Sequence, residues 1–408
     1  MSPNDPRAAL LALAAIERGS AGPGEERTAE LLAEMLRARG LDPRLEQAPA
    51  VGGFWQSNGL AAAIAAIAGA FGRPDAPRWV RAGCVALAAA AAGAVADDVD
   101  AGRHLLRKLL PKRNATNVMA WSGDADAEQT VVLVAHHDAA HTGLLFHPGL
   151  VPAIARRFPR WYAKQMTSVQ TGRLLVAGPA LVALGTLARV RPLRRLGVVW
   201  SAVTAGLLAD VARSGVVCGA NDNLSSVAVL LDLARRFASR PLTGVRVLLL
   251  STGSEESFME GMRGFLDRHG AALDPARTRV IALECVGSPH LMLMEGEGML
   301  VMRDHDESLR TEIQDAADRA GIGLWRGPRL GAGATDALPA MRAGYRTACI
   351  AACDEFKTPA NYHWPTDVPE NLDWNTIEQA ADVLESLLRG FQDQASSSSE
   401  RSSAALRA

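Results

Sequence analysis

The chain has few cysteines, and the five it has (Cys84, Cys218, Cys285, Cys349, Cys353) are dispersed without a C-x-x-C pair. That excludes a disulfide framework and a thiolate zinc site. Charge of either sign is not in excess: the net value is −1 over 408 residues, and no basic stripe is interleaved with aromatics. Nucleic acid is therefore not an expected partner. A long apolar run is missing too, since each of four apolar stretches offers about 14–18 residues, at or below the ~20 that span hydrocarbon. The first twenty residues, "MSPNDPRAALLALAAIERGS", place acid and proline early and lack a convincing cleavage site, so they do not read as a secretion signal. What remains is enough chain for one large α/β domain of about 280 residues plus additions.

A set of imidazoles and carboxylates stands at strand ends and turns. His136 closes the β-rich run "TVVLVAH", Glu255-Glu256 follow "VRVLLLS", and Glu284 closes "TRVIALE". Asp222 lies in the turn cluster "CGANDN" before a helix-periodic segment, and His363 lies in "NYHWPTDVPENLDW". Ligands outside the carboxyl ends of strands are the usual arrangement in open α/β sheets. Each residue alone has a plainer reading: Asp222 as a helix N-cap, the Glu pair as solvated surface. The joint order decides: H-x-D, G-A-x-D-N, S-x-E-E, an acid after an apolar strand, then Y-H-x-P-x-D. Two imidazoles and three carboxylates, with one further carboxylate beside them, is the inventory of a two-zinc hydrolytic site. His137, His141 and His147 read as supporting or surface residues. Cys285 follows Glu284, and strand alternation would turn it to the opposite face as a core thiol.

This motif series resembles the M28 peptidases, co-catalytic zinc aminopeptidases with a three-layer α/β/α, mixed-sheet phosphorylase/hydrolase-like fold. The resemblance covers roughly residues 20–50 and 114–393. It implies two zinc ions per chain, with His136 and Glu284 on the first, Glu256 and His363 on the second, and Asp222 bridging both. It further implies that Asp138 fixes the His136 tautomer and that Glu255 is the general base. Asp336 in "GATDALPAM", or Glu255, could meet the free amine of a peptide substrate. Two positions depart from the family pattern: Glu284 stands where Asp is usual, and Ser225-Ser226 replaces Ser-Gly. The family also implies two alternatives: a single-zinc, glutaminyl-cyclase-like aminoacyl transfer, or an inactive receptor or scaffold on the same fold. The second predicts lost ligands, whereas every position here keeps a competent side chain.

Two apolar insertions interrupt the resemblance. The expected plan is peptidase domain over 1–51, 113–143 and 214–393, helical hairpins over 52–112 and 144–213, and a disordered low-complexity tail over 394–408. Helices are expected at about 25–39 and 374–391. The hairpin stretches are rich in small residues, flanked by Trp55, Trp79, Trp161, Tyr162 and Trp200, and tipped with arginines. Small faces suit close packing in lipid, and the aromatics resemble interfacial anchors. Ala-rich helices also form well in water, so arms packed on each other or on a second subunit are the alternative. The expectation is a membrane-associated exopeptidase at the cell membrane, touching lipid through both hairpins and able to form homo-oligomers. Arginines crowd both ends of the hairpins, so the positive-inside rule does not assign a side.

Overall fold

The structure, a computed structural model, describes residues 5–405, with side chains through residue 396. Four runs of apolar residues become the parallel centre of a sheet: β3 (Thr130–His136), β4 (Arg246–Thr252), β5 (Thr278–Glu284) and β10 (Arg346–Cys353). All seven residues of β3 are buried, as expected for a strand covered on both faces. Alternation sorts them: Val131, Leu133 and Ala135 enter one core, Val132 and Val134 the other. The full order is β1-β2-β4-β3-β5-β10-β6-β9. β1 (Arg44–Ala50), β2 (Arg113–Gly123) and β6 (His290–Leu293) are antiparallel to their inner neighbours. β9 (Trp325–Arg326) closes the edge, and β7 (Gly296–Glu297) and β8 (Arg303–Asp304) form a separate ribbon.

One face of the sheet is covered by α1 (Pro6–Ala14), α2 (Pro23–Arg37), α9 (Ser225–Ser239), α11 (Glu307–Arg319) and α13 (Trp374–Ala405). The other carries α10 (Glu260–His269) and α12 (Ala337–Arg342). The expected three-layer mixed α/β/α architecture is what the chain forms. Helix α2 matches its expected span, with Pro23 at its start and Glu25 and Glu26 in its first turn. Helix α13 runs beyond its expected end near 391, into the segment read as a tail, up to Ala405. Residues 406–408 lie outside the described residues.

The insertions build a four-helix bundle. The first supplies α3 (Phe54–Phe71) and α4 (Arg78–Val99). The second begins with a 3-10 turn at Leu144–Phe146 and two short helices, α5 (Leu150–Arg157) and α6 (Pro159–Ala163). Its hairpin proper is α7 (Thr171–Leu187) and α8 (Arg191–Arg213). Helix α3 packs on α4 and α8, and α7 packs on the same two. Small residues permit the approach: a methyl group at Gly197 would lie 2.5 Å from the Val182 nitrogen, and one at Gly178 2.7 Å from the Ser201 hydroxyl. The outside is apolar, with Ile67, Phe71, Trp79, Leu184, Leu187 and Val199 more than half exposed. By length and composition α4 and α8 can cross a membrane, and only 22% of each apolar window is buried. A core helix of that composition would be mostly covered.

Charged residues clasp the bundle to the catalytic domain. The fully buried Arg107 guanidinium donates to Asp98 of α4 at 2.6 Å and to the Ser257 carbonyl at 2.9 Å, and it lies 3.3 Å from Glu260. Asp98 also accepts from Ser57 (2.6 Å) and Asn58 (2.9 Å) of α3. Asp100, just past α4, pairs with Arg303 at 2.8 Å and Arg342 at 2.6 Å.

Candidate metal centre

The carboxyl ends of β3, β4 and β5 deliver three of the expected groups to one place. His136 is the last residue of β3 and is buried. Its Nε2 lies 3.2 Å from Asp222 Oδ1, 3.6 Å from Glu284 Oε1 and 3.8 Å from Glu255 Oε2. His363, on the loop after β10, places Nε2 3.1 Å from Asp222 Oδ2 and 3.2 Å from Glu256 Oε2. Asp222 thus turns one oxygen to each histidine. Potential ligand atoms of His136, Asp222 and Glu284 fall within 4.8 Å of one another, as do those of Asp222, Glu256 and His363.

Asp138 organises the surroundings. Its carboxylate accepts from the Ser20 hydroxyl (2.6 Å) and from the amides of Glu255 (3.0 Å) and Glu256 (3.2 Å), and lies 3.3 Å from His136 Nδ1. The same Nδ1 faces the Asp138 carbonyl at 3.2 Å, so the imidazole presents Nε2 to the carboxylates. The Glu255 loop is held a second time by buried Glu25, which accepts from the Ser254 amide and hydroxyl, both at 2.8 Å. The Asp222 turn hangs from Asp367, which accepts from the amides of Asn221 (2.6 Å) and Asp222 (3.1 Å). Asn223, joined to Asp222 by a cis peptide, accepts from the Cys285 amide at 2.9 Å.

Five acids in one buried site carry more negative charge than two histidines can balance. Burial and neighbouring carboxylates push Glu255 well above its usual range. Glu284, buried and held down only in part by His136, rises to about 7. Burial would lower His363, but Glu256 and Asp222 outweigh it and raise it to about 10. Burial disfavours ionised Asp222, yet contact with His136 and His363 leaves it depressed. Glu256 Oε1 and His363 Nδ1 are buried without a hydrogen-bond partner. Divalent cations would supply the missing positive charge, and the nitrogen and oxygen donors suit zinc. The residues fit the metal.

His136, Asp222, Glu255, Glu256, Glu284 and His363 therefore converge. Asp336 is as buried as the candidate ligands, 3% exposed, and accepts from Thr252 at 2.5 Å at the end of β4. His137 is buried on Ser251, at 2.9 Å. His141 binds the Ser214 carbonyl at 2.8 Å, and its ring centroid is 4.5 Å from that of Trp55. His147 meets Trp364. Cys285 is a buried thiol, as expected, but not on the opposite face. Its φ of +52° ends the pleat at Glu284, and its Sγ lies 3.4 Å from Glu284 Oε1. Sequence reading passed over Ser20, Glu25 and Asp367. Of these, Asp367 was within reach, since it closes the Y-H-x-P-x-D motif. The aromatic wall was also missed: the Tyr362 ring stacks on His363 at 3.8 Å and Phe146 meets it edge-on at 4.4 Å.

Two imidazoles around a shared carboxylate, beside the carboxyl ends of the central strands, make a donor set suited to divalent metal. Residues 202–388 match the model of Peptidase family M28, a span that includes Asp222, Glu255, Glu256, Glu284 and His363. That span, a little under half of the chain, is similar to family M28, the family that the motifs resemble. The fold is similar to that of the zinc aminopeptidase BSAP from Bacillus subtilis: TM-score 0.53, 15% identity, 95% of this chain and 94% of that one covered. It is similar also to a leucine aminopeptidase precursor from Bacteroides thetaiotaomicron (TM-score 0.53, 14% identity). That match is joined by a glutaminyl cyclase from the same organism bound to N-acetylhistamine (TM-score 0.53, 13% identity, 95% and 97% covered). The aminopeptidase precursor match covers 95% of this chain and 96% of that one. No curated protein matches the chain by sequence.

Proposed function

We infer that the protein is a zinc-dependent exopeptidase, an aminopeptidase acting on peptides, held at a membrane by its four-helix bundle. The observation that carries the reading is Asp222, with one oxygen 3.2 Å from His136 and the other 3.1 Å from His363. A carboxylate so placed suits two cations a few ångströms apart. His136 and Glu284 would hold the first, His363 and Glu256 the second, and Asp222 both. When bound, two zinc ions would lower the pKa of water toward ~7 and polarise the scissile carbonyl. Glu255 stands in a third possible trio, with His136 and Glu256, and is assigned as the base because it belongs to neither trio that holds Asp222. Its amide is fixed by Asp138, and its carboxyl lies beside His136 but outside the trios that share Asp222. It takes the proton from the attacking water and delivers it to the leaving amine as the C–N bond breaks. Burial raises its proton affinity in the direction that work requires.

Membrane attachment is supported by the exposed apolar outside of the bundle and by the two helices long enough to cross. The test of function is the purified protein with metal analysis against aminoacyl amides, N-blocked peptides and peptides with N-terminal glutamine. Two zinc ions and cleavage limited to free amino termini are expected. One zinc with cyclisation of glutamine would replace this reading by aminoacyl transfer.

A further inference from the structure

Between Asp138 and Asp210 the sequence contains no acidic residue, while Arg156, Arg157, Arg160, Lys164 and five more arginines fall in that stretch. A segment of that length without Asp or Glu is far from the balance of the whole chain. The structure gives its first part a shape. The 3-10 turn at Leu144–Phe146 leaves the base of the bundle, where the Leu144 amide donates to Asp210 of α8 at 2.7 Å. The chain returns to the base at α7, whose Gly172 abuts Val99 at the end of α4. The chain between these two points, with α5 and α6, leans on the catalytic domain's loop at Phe356 and Lys357.

These helices are pinned on one side only. Ala155 is buried, Tyr162 donates its hydroxyl to the Phe356 carbonyl at 2.5 Å, and Lys357 donates to the carbonyls of Ala163 and Gln165, both at 3.0 Å. The other side shows Leu150, Ile154, Phe158 and Trp161 to solvent, at 61%, 37%, 53% and 55% exposure. Leu150 and Ile154 share one face of α5, Phe158 stands at the break before α6, and Trp161 lies in α6, so the four make an exposed apolar cluster across two short helices. Exposed Arg156, Arg157, Arg160 and Lys164 flank it. An exposed apolar cluster beside cations, in a segment whose sequence has no acid, has the chemistry of an interfacial element on anionic lipid.

We propose that residues 144–164 dock in the plane of an anionic phospholipid surface, with Leu150, Ile154, Phe158 and Trp161 among the acyl chains and the four cations on the head groups. This goes beyond anchoring by the bundle, and it rests on the bundle reading only for where the surface lies. Because Phe146 of the same segment covers His363, lipid docking sets one wall of the cleft.

The test uses the full chain with an environment-sensitive fluorophore on Ile154→Cys, and a second protein labelled at Leu87→Cys on the exposed side of α4. Both carry Cys218→Ser, because the other four native thiols are buried. Each is combined with vesicles of phosphatidylcholine, with or without phosphatidylglycerol, containing a lipid-borne quencher. Expected is quenching at 154 that rises several-fold with phosphatidylglycerol and weakens with salt, against quenching at 87 that ignores both. Reversing Arg156, Arg157 and Arg160 to Glu should lower the signal at 154 several-fold. A label at 154 that stays in water while 87 is quenched overturns this proposal and leaves the bundle reading intact. Quenching at 154 alone supports this proposal and overturns the bundle reading. Water at both overturns both, and signal at 154 indifferent to charge and salt overturns the anionic assignment.

Discussion

Glu255 and Glu256 are neighbours in sequence with different company. Glu256 faces His363 at 3.2 Å, whereas Glu255 stands 3.8 Å from His136. Glu255→Gln should therefore keep near-normal zinc while turnover falls roughly 10²–10⁴-fold, the scale of general acid-base catalysis; metal content and rate measured on one preparation separate the two. Asp222→Asn should weaken both metals, whereas His136→Ala should mainly empty one site, because only the bridging carboxylate neutralises two cations. Equal loss of a single metal in both variants would contradict the bridge. A third expectation concerns Glu297, buried beside Thr335 and pushed up to about 8 by burial. The folded state then keeps a proton that the unfolded chain releases near 4.5, so stability falls as pH rises between those values, by at most about 1.4 kcal/mol per unit. In denaturant titrations from pH 5 to 8, Glu297→Gln should flatten that slope. The candidate ligands were legible because His136 and Glu284 end apolar strands, Glu256 follows one and Asp222 precedes a helix, while His363 was legible only through its motif. Ser20 and Glu25 were not, since only tertiary folding brings the Ser20 hydroxyl to Asp138 and the Ser254 amide to Glu25, whereas Asp367 stood in the Y-H-x-P-x-D motif. Cys285 misled because alternation holds only while the strand lasts, and a positive φ ends it there.

At the scale of elements, β3, β4, β5 and α2 followed from run length and turn signals, whereas β10 was passed over and α5 and α6 hid inside the second insertion. Two short helices separated by Phe158 and Pro159 give too little periodicity to stand apart from the apolar hairpin after them. Polar contacts between elements are equally silent in sequence. Arg107 links α4, the Ser257 carbonyl and α10 through Asp98 and Glu260. Removing a buried ionic partner leaves the others uncompensated, so Arg107→Met should cost about 3–5 kcal/mol in unfolding measurements. Adding Asp98→Leu should recover part of that loss, by the logic of a double-mutant cycle.

For the whole molecule, the sequence told that two apolar hairpins interrupt one α/β domain, and the structure joins them into a single bundle. Packing partners were not readable because small residues suit any close neighbour, and only tertiary contact shows that α3 meets α8 and α4 meets α7. In cell fractionation the full chain should stay with membranes through high salt and carbonate and need detergent to become monodisperse. Release by carbonate, with a monodisperse protein in plain buffer, would leave the bundle as an arm in water.

The clasp at the foot of the bundle has one more consequence. Enzymes on a flexible leash sweep a volume that widens with tether length. Here α3 starts directly after β1, and Asp98 and Asp100 are locked to Arg107, Arg303 and Arg342. With the bundle in a bilayer, the cleft is carried like a tool on a gantry, at one altitude and one tilt. Substrates drifting in bulk gain nothing from such a mounting. A peptide whose far end is itself held in the same sheet of lipid gains effective concentration, provided its free end rises to the height of the cleft. Spacer length between lipid anchor and amino terminus then becomes a determinant of cleavage, independent of the residues being cut.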